Sequence, residues 1–216
     1  MMLTDEDLPS EARMALAHTP PALRRELATA FAFDARLARI AGQTSEVMLG
    51  QMRLAWWRDM LKALPEDRPN GDAVLDAVGR DWRGREAALG EVVDGWEVLV
   101  ASEAMGRADI LAFARGRAAP FTALPASADA MPHVRAAAMR WALAEAAPRL
   151  SDAAERAVFV EIALENADDR PRLPRALKGL AVLDALALRA LKRGGRPLME
   201  GRGAAIAAMR AAIVGR

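Results

Sequence analysis

Apolar residues along the chain recur at spacings of three and four, and proline and glycine fall at regular breaks between these runs. That is the pattern of amphipathic helices joined by short turns. No segment reads convincingly as a strand. The breaks predict helices over Ser10 to Ala17, from Pro21 to about Ala41, and over Glu46 to Leu64, Asp72 to Trp82, Glu86 to Met105, Ala108 to Arg117, Pro132 to Ala147, Ser151 to Asn166, Pro174 to Lys192 and Gly203 to Val214. Nine or ten helices are therefore expected. Thr19 is placed to cap the second helix, with a proline in its first turn. Thr44 or Ser45 is placed to cap the third, with Glu46 in its first turn against the helix dipole. The two longest connections are expected at Ala118 to Met131 and at the glycine-rich Arg193 to Gly203. Neither reads as an interdomain linker, so residues 1 to 216 are expected to form one domain.

Composition narrows the chemistry. At 216 residues and 53% hydrophobic, the chain can bury a sizeable core. Thirty basic residues against 29 acidic ones leave a net charge of +1, too little to draw nucleic acid or an anionic membrane by a global field, so any basic site must be local. All but three of the basic residues are arginine and alanine is abundant, so a single arginine says little about function. Cysteine is absent and there are two histidines, His18 and His133, which excludes disulfides and thiolate chemistry and argues against histidine-rich metal sites. The opening MMLTDEDLPSEAR is acidic and polar, and no apolar run is long enough to span a bilayer. A soluble cytoplasmic protein is expected, with peripheral membrane contact left open.

Residues 21 to 64, PALRRELATAFAFDARLARIAGQTSEVMLGQMRLAWWRDMLKAL, read as two amphipathic helices folded into a hairpin. On the second, Leu54, Trp57, Leu61 and Leu64 form one stripe, and Met52, Trp56, Met60 and Ala63 a neighbouring one. Two adjacent tryptophans on so wide an apolar face are expected to serve mainly as packing. The run RLAWWRDML at Arg53 to Leu61, preceded by PALRR and AFAFDARLARI, resembles the opening of the squalene/phytoene synthase family. The stretch LPRALKGLAVLDALALRALKRGGRPL at Leu173 to Leu198 is similar to that family's closing helices. The resemblance implies an all-α, single-domain bundle of the terpenoid synthase type, its helices surrounding a central cavity.

Catalytic members of the family join two prenyl diphosphates, and the departing diphosphate is assisted by Mg²⁺ held on carboxylates. The resemblance places the first acidic set, D-D-x-x-D, at Ala38, Arg39 and Gly42, none of which can serve as a ligand, and Asp34 comes one turn too early. The second set, D-x-x-x-D, has no counterpart in RWALAEAAPRLSD at Arg140 to Asp152, where Glu145 and Asp152 are seven apart with Pro148 between them. The best substitute metal site is Glu161, Glu165, Asp168 and Asp169. Arg36, Arg39, Arg53 and Trp57 are the candidates for lining a cavity and binding an anion without metal, since a guanidinium suits phosphate geometry. The pattern AFDARLARI at Ala32 to Ile40 resembles a branch of the family related to a mitochondrial assembly factor for respiratory complex I. The expected function is a non-catalytic family member that binds a partner protein or an apolar, isoprenoid-like ligand and needs no cofactor. The alternative is a Mg²⁺-dependent prenyltransferase of isoprenoid biosynthesis.

Overall fold

The computed structural model describes residues 8–43, 46–102, 104–165, 167–168 and 170–215. Among them stand ten α-helices and no strand: α1 (Ser10–Ala17), α2 (Pro21–Gln43), α3 (Val47–Lys62), α4 (Ala73–Asp81), α5 (Glu86–Ala101), α6 (Arg107–Thr122), α7 (Met131–Ala146), α8 (Ala153–Leu164), α9 (Lys178–Leu191) and α10 (Gly203–Val214). Short 3₁₀ turns occupy Pro65–Asp67, Ala147–Arg149 and Arg175–Leu177. Helices α5, α6, α7 and α9 pack successively against one another; α3 lies on α5, α10 on α9, and α1 between α2 and α9. The buried apolar residues form one continuous cluster from Leu8 to Ala211.

Local chemistry sets the helix ends. Asp72 caps α4 by accepting from the amides of Val74 (2.9 Å) and Leu75 (3.0 Å), and Asp152 caps α8 through the amide of Ala154. Arg68 is buried and closes the far end of α3, donating to the carbonyls of Ala63 and Leu61. A guanidinium there satisfies carbonyls that the helix itself cannot pair. Thr19 does not cap α2 as expected; its hydroxyl donates back to the carbonyl of Ala15 and closes α1 instead. Pro21 does occupy the first position of α2. Glu46 stands just ahead of α3, not in its first turn, and the proposed caps Thr44 and Ser45 lie outside the described residues.

The clearest difference from the pattern is α6, which runs on through Pro120 to Thr122 where a loop was expected from Ala118. Proline removes one amide and crowds the carbonyl four residues back. That residue is Gly116, and the last turn survives because Ala118, Ala119, Pro120 and Phe121 are all buried. The expected α2–α3 hairpin is also looser than drawn. Helix α3 packs chiefly on α5, with Arg58 bonded to Asp94 and Glu97, and meets α2 mainly where the ring of Trp57 stands edge-on to Phe33 at 5.3 Å.

Gly116 also sets the closest helix crossing. A Cβ there would lie 2.8 Å from the Cα of Gly95 and would collide with the carbonyl of Glu91. Backbone therefore meets backbone where α5 crosses α6, and the next residue, Arg117, is driven into the middle of the bundle. Replacing Gly116 by Ala should cost about 3 kcal/mol of stability through overpacking, read as a lower denaturant midpoint, whereas Gly90→Ala, where a Cβ meets nothing within 4 Å, should not destabilise.

Candidate functional site

Arg117 has a side chain only 1% exposed, and it lies between α2 and α7. Its Nε and Nη2 donate to the two carboxylate oxygens of Asp34 on α2, at 2.9 and 2.6 Å. Its Nη1 donates to the carbonyl of Ala142 at 3.0 Å and makes an ionic contact of 3.0 Å with Glu145 Oε2 on α7. The guanidinium also lies 4.8 Å from the ring centre of Trp141, 4.9 Å from Trp96 and 5.4 Å from Phe113, a cage whose faces favour a cation. The indole N–H of Trp96 donates to Asp34 Oδ1 at 2.8 Å, which fixes the carboxylate. Glu145 in turn pairs with Arg149 one turn on. Burial alone would pull the Arg117 pKa down, but the charges of Asp34 and Glu145 outweigh it and hold the guanidinium above its ordinary value.

Over this network opens a pocket of about 360 Å³ between α1, α2 and α7. Leu8, Ala12, Phe31, Ala35, Ala38 and Trp141 give it apolar walls, and Glu11, Arg39 and Arg149 stand around it. Beneath it the interior is filled: Phe31, Phe121 and Trp141 form an edge-to-face triad with ring centres 5.6 to 5.9 Å apart. The central space of the bundle is thus partly taken by aromatic rings and one arginine, and the open part lies to one side. Burial raises the Glu11 carboxyl above its usual 4.5, and the nearby negative charge of Glu145 adds to the rise.

The structure divides the residues singled out from sequence. Arg39 lines the pocket beside Ala38 and has no ion-pair partner among the described residues. Arg36 turns away to Asp72, at 2.7 Å, and sits over the ring of Trp57. Arg53 is exposed on α3, and Trp57 is buried packing. Glu165 is exposed and holds Arg107 through both oxygens at 2.7 and 2.5 Å, and Glu161 is exposed on α8. Asp168 borders a groove between α9 and α10, and Asp169 lies outside the described residues. No cluster of three acidic or histidine side chains poised to hold a metal occurs among the described residues. The residues sequence reasoning missed are Arg117 and Glu11, together with Asp34 and Glu145, which it had set aside. Arg117 was the findable one, because it continues the apolar stripe Ile110, Phe113, Ala114, Pro120 and Phe121 at helical spacing.

The sequence model of the squalene/phytoene synthase family matches residues 10–119. The chain belongs to this family. No curated protein matches it. The matched span takes in Asp34, Arg39 and Arg117. The residues present do not fit the Mg²⁺ ions that the family's chemistry implies. Such ions need carboxylate oxygens free to coordinate and no competing cation, and here the Asp34 oxygens accept from Arg117 and Trp96, while Glu145 is ion-paired with Arg117 and Arg149, its Oε2 facing the guanidinium without a hydrogen bond.

Two measurements probe this network. Arg117→Met leaves Asp34 and Glu145 without their shared cation and should destabilise the protein by about 3 to 5 kcal/mol, seen in urea unfolding. Glu11 has a folded-state pKa above its unfolded value, so its stabilising contribution is complete below about pH 4.5 and disappears as the pH rises through the folded value. Glu11→Gln, which mimics the neutral acid, should therefore be more stable than the parent at neutral pH, with the gap closing in acid. A parent that gains on the variant as pH rises would contradict the assignment.

Proposed function

We propose that this squalene/phytoene synthase family member is non-catalytic and acts as a binding protein, taking a small apolar or amphipathic ligand in the pocket between α1, α2 and α7. The single observation that supports it is Arg117: a permanent guanidinium occupies the gap between α2 and α7 and engages both carboxylates that face each other there. A fixed positive charge in that position repels Mg²⁺ and competes with it for both carboxylates. Loss of metal-assisted ionisation removes the main electrostatic contribution to diphosphate departure. At about 360 Å³ the pocket is near the lower end of small-molecule sites, ~300 to 1,000 Å³. It suits one small ligand better than two isoprenyl diphosphates side by side. Arg39 at its edge, without an ion-pair partner among the described residues, offers a guanidinium for an anionic group.

The pattern AFDARLARI at Ala32 to Ile40 supports placing the chain with the branch related to the mitochondrial complex I assembly factor, and so with partner binding. Helix α3 supports the same reading. It exposes Val47, Leu49 and Trp56 together with Met48 (72% exposed) and Met52 (62% exposed), and Leu64 is exposed just past its end. Methionine and tryptophan suit an adaptable protein contact, and the flanking charges balance, with Arg53 and Lys62 against Glu46 and Asp59. An amphipathic helix of a partner protein fits such a face better than an anionic surface does.

Incubation of the purified protein with farnesyl or geranylgeranyl diphosphate and Mg²⁺ should yield no condensed product. Reproducible product that disappears in Asp34→Asn or Glu165→Ala would sink the non-catalytic reading and restore the prenyltransferase.

A further inference from the structure

The outward face of α10 has no role in the pocket or in the α3 surface. Helix α10 packs on α9 through Ala204, Ala208 and Ala211, all buried. On the opposite side, at positions i, i+3 and i+7, stand Ile206, Met209 and Ile213, exposed 69%, 65% and 79%. A surface helix ordinarily turns polar residues to solvent there. The charges carried by α10 itself are all of one sign. From Arg202 to Gly215 the sequence holds no acidic residue, and Arg202 and Arg210 are exposed beside the stripe. Between α9 and α10 runs a groove of about 480 Å³, bordered by Lys192 and Arg210 with Leu188 and Val214. Asp168 also borders it, as does Arg170, whose charge is held by Asp184. Lys192, Arg202 and Arg210 have no ion-pair partner among the described residues. No helix among the described residues is long and apolar enough to cross a membrane, so a contact made here lies along a surface.

We propose that α10 docks the protein onto an anionic phospholipid bilayer, with Ile206, Met209 and Ile213 entering the boundary between headgroups and acyl chains and Lys192, Arg202 and Arg210 meeting lipid phosphates. Large apolar residues flanked by uncompensated cations are what an interfacial helix requires. A second copy of the chain meeting α10 face to face would bring like charges together. Nucleic acid would match the cations but leave Ile206, Met209 and Ile213 against a polar backbone. The balanced charges around α3 lack this bias. The proposal does not rest on the pocket or on the non-catalytic reading.

The absence of cysteine allows Met209→Cys to carry a single environment-sensitive fluorophore. Its emission should shift to the blue with vesicles of equal parts phosphatidylcholine and phosphatidylglycerol, much less with phosphatidylcholine alone, and the shift should weaken with added salt. In co-sedimentation, the triple change Ile206→Ser, Met209→Ser and Ile213→Ser should lower partitioning at least about tenfold, and Arg202→Gln and Arg210→Gln about fivefold each. Met48→Ser with Met52→Ser, on the α3 face, should leave partitioning unchanged. No emission shift with the mixed vesicles overturns the proposal, as does partitioning indifferent to phosphatidylglycerol. A shift that follows protein concentration without vesicles, together with a dimer in sedimentation equilibrium, would assign the face to a second copy and also overturn it.

Discussion

A guanidinium sealed inside an apolar bundle is tolerable only if anions meet it there, and that requirement at Arg117 organises the middle of this protein. Taking the charge out of water costs several kcal/mol, and removing a partner costs more than the pair contributes. Asp34, Glu145 and the carbonyl of Ala142 must therefore converge on one point from α2 and α7. The convergence fixes the register of three helices at once. It is possible because Gly95 and Gly116 let α6 approach α5 at backbone contact, and because Trp96, carried by α5, both cages the cation and holds Asp34 by its N–H.

The same network decides what the site can hold. Two carboxylates on facing helices are the raw material of a divalent metal site, and the aromatic cage would suit an incoming cation as well. Arg117 supplies that cation covalently. A carboxylate whose oxygens accept from a guanidinium and an indole has few free lone pairs, so the charge balance that stabilises the fold is closed to Mg²⁺. Elsewhere the chain repeats the device. Asp184 on α9 is shared by Arg140 on α7 and Arg170, and Arg68 ties the end of α3 to Glu86. Arginine here acts as an internal connector between helices, which gives many of the arginines a structural role.

Helix positions were largely legible because Pro, Gly and the three-four apolar spacing are local signals. The end of α6 was not, because Pro120 reads locally as a stop while burial of Ala118 to Phe121 overrides it. Thr19 showed the same limit: a threonine between two helices can serve either end, and only packing chose α1. The site was less legible than the fold. Mapping the family's acidic positions found Ala38 and Arg39, which do line the pocket, but directed attention to missing aspartates and away from carboxylates one turn removed. Asp34 and Glu145 looked misplaced as metal ligands, and they are well placed as partners of an arginine on a third helix. That partnership spans 83 residues between Asp34 and Arg117, and no local pattern reports such a separation. The stripe containing Arg117 carried a signal of burial, which a sequence rich in arginine made easy to discount.

Helix α9 connects the pocket to α10. It packs against α1 and α7, which border the pocket, and carries α10 on another side. Gly179 lets α1 settle close to α9, since a Cβ there would lie 2.7 Å from the carbonyl of Ala15 and collide with Thr19. The helix that bears Glu11 at the pocket is thus held against the helix that supports α10. By contrast, α10 meets α9 through alanines, a shallow contact that leaves its large side chains outward. The ion pairs of Arg117 with Asp34 and Glu145 hold the middle of the bundle, while the cations without an ion-pair partner among the described residues stand at its edges: Arg39 at the pocket, and Lys192, Arg202 and Arg210 beside α10. The exposed apolar side chains of α3 and α10 lie at the same periphery, so the charges and apolar faces that a ligand or partner could meet surround the bundle and do not lie between Asp34 and Glu145.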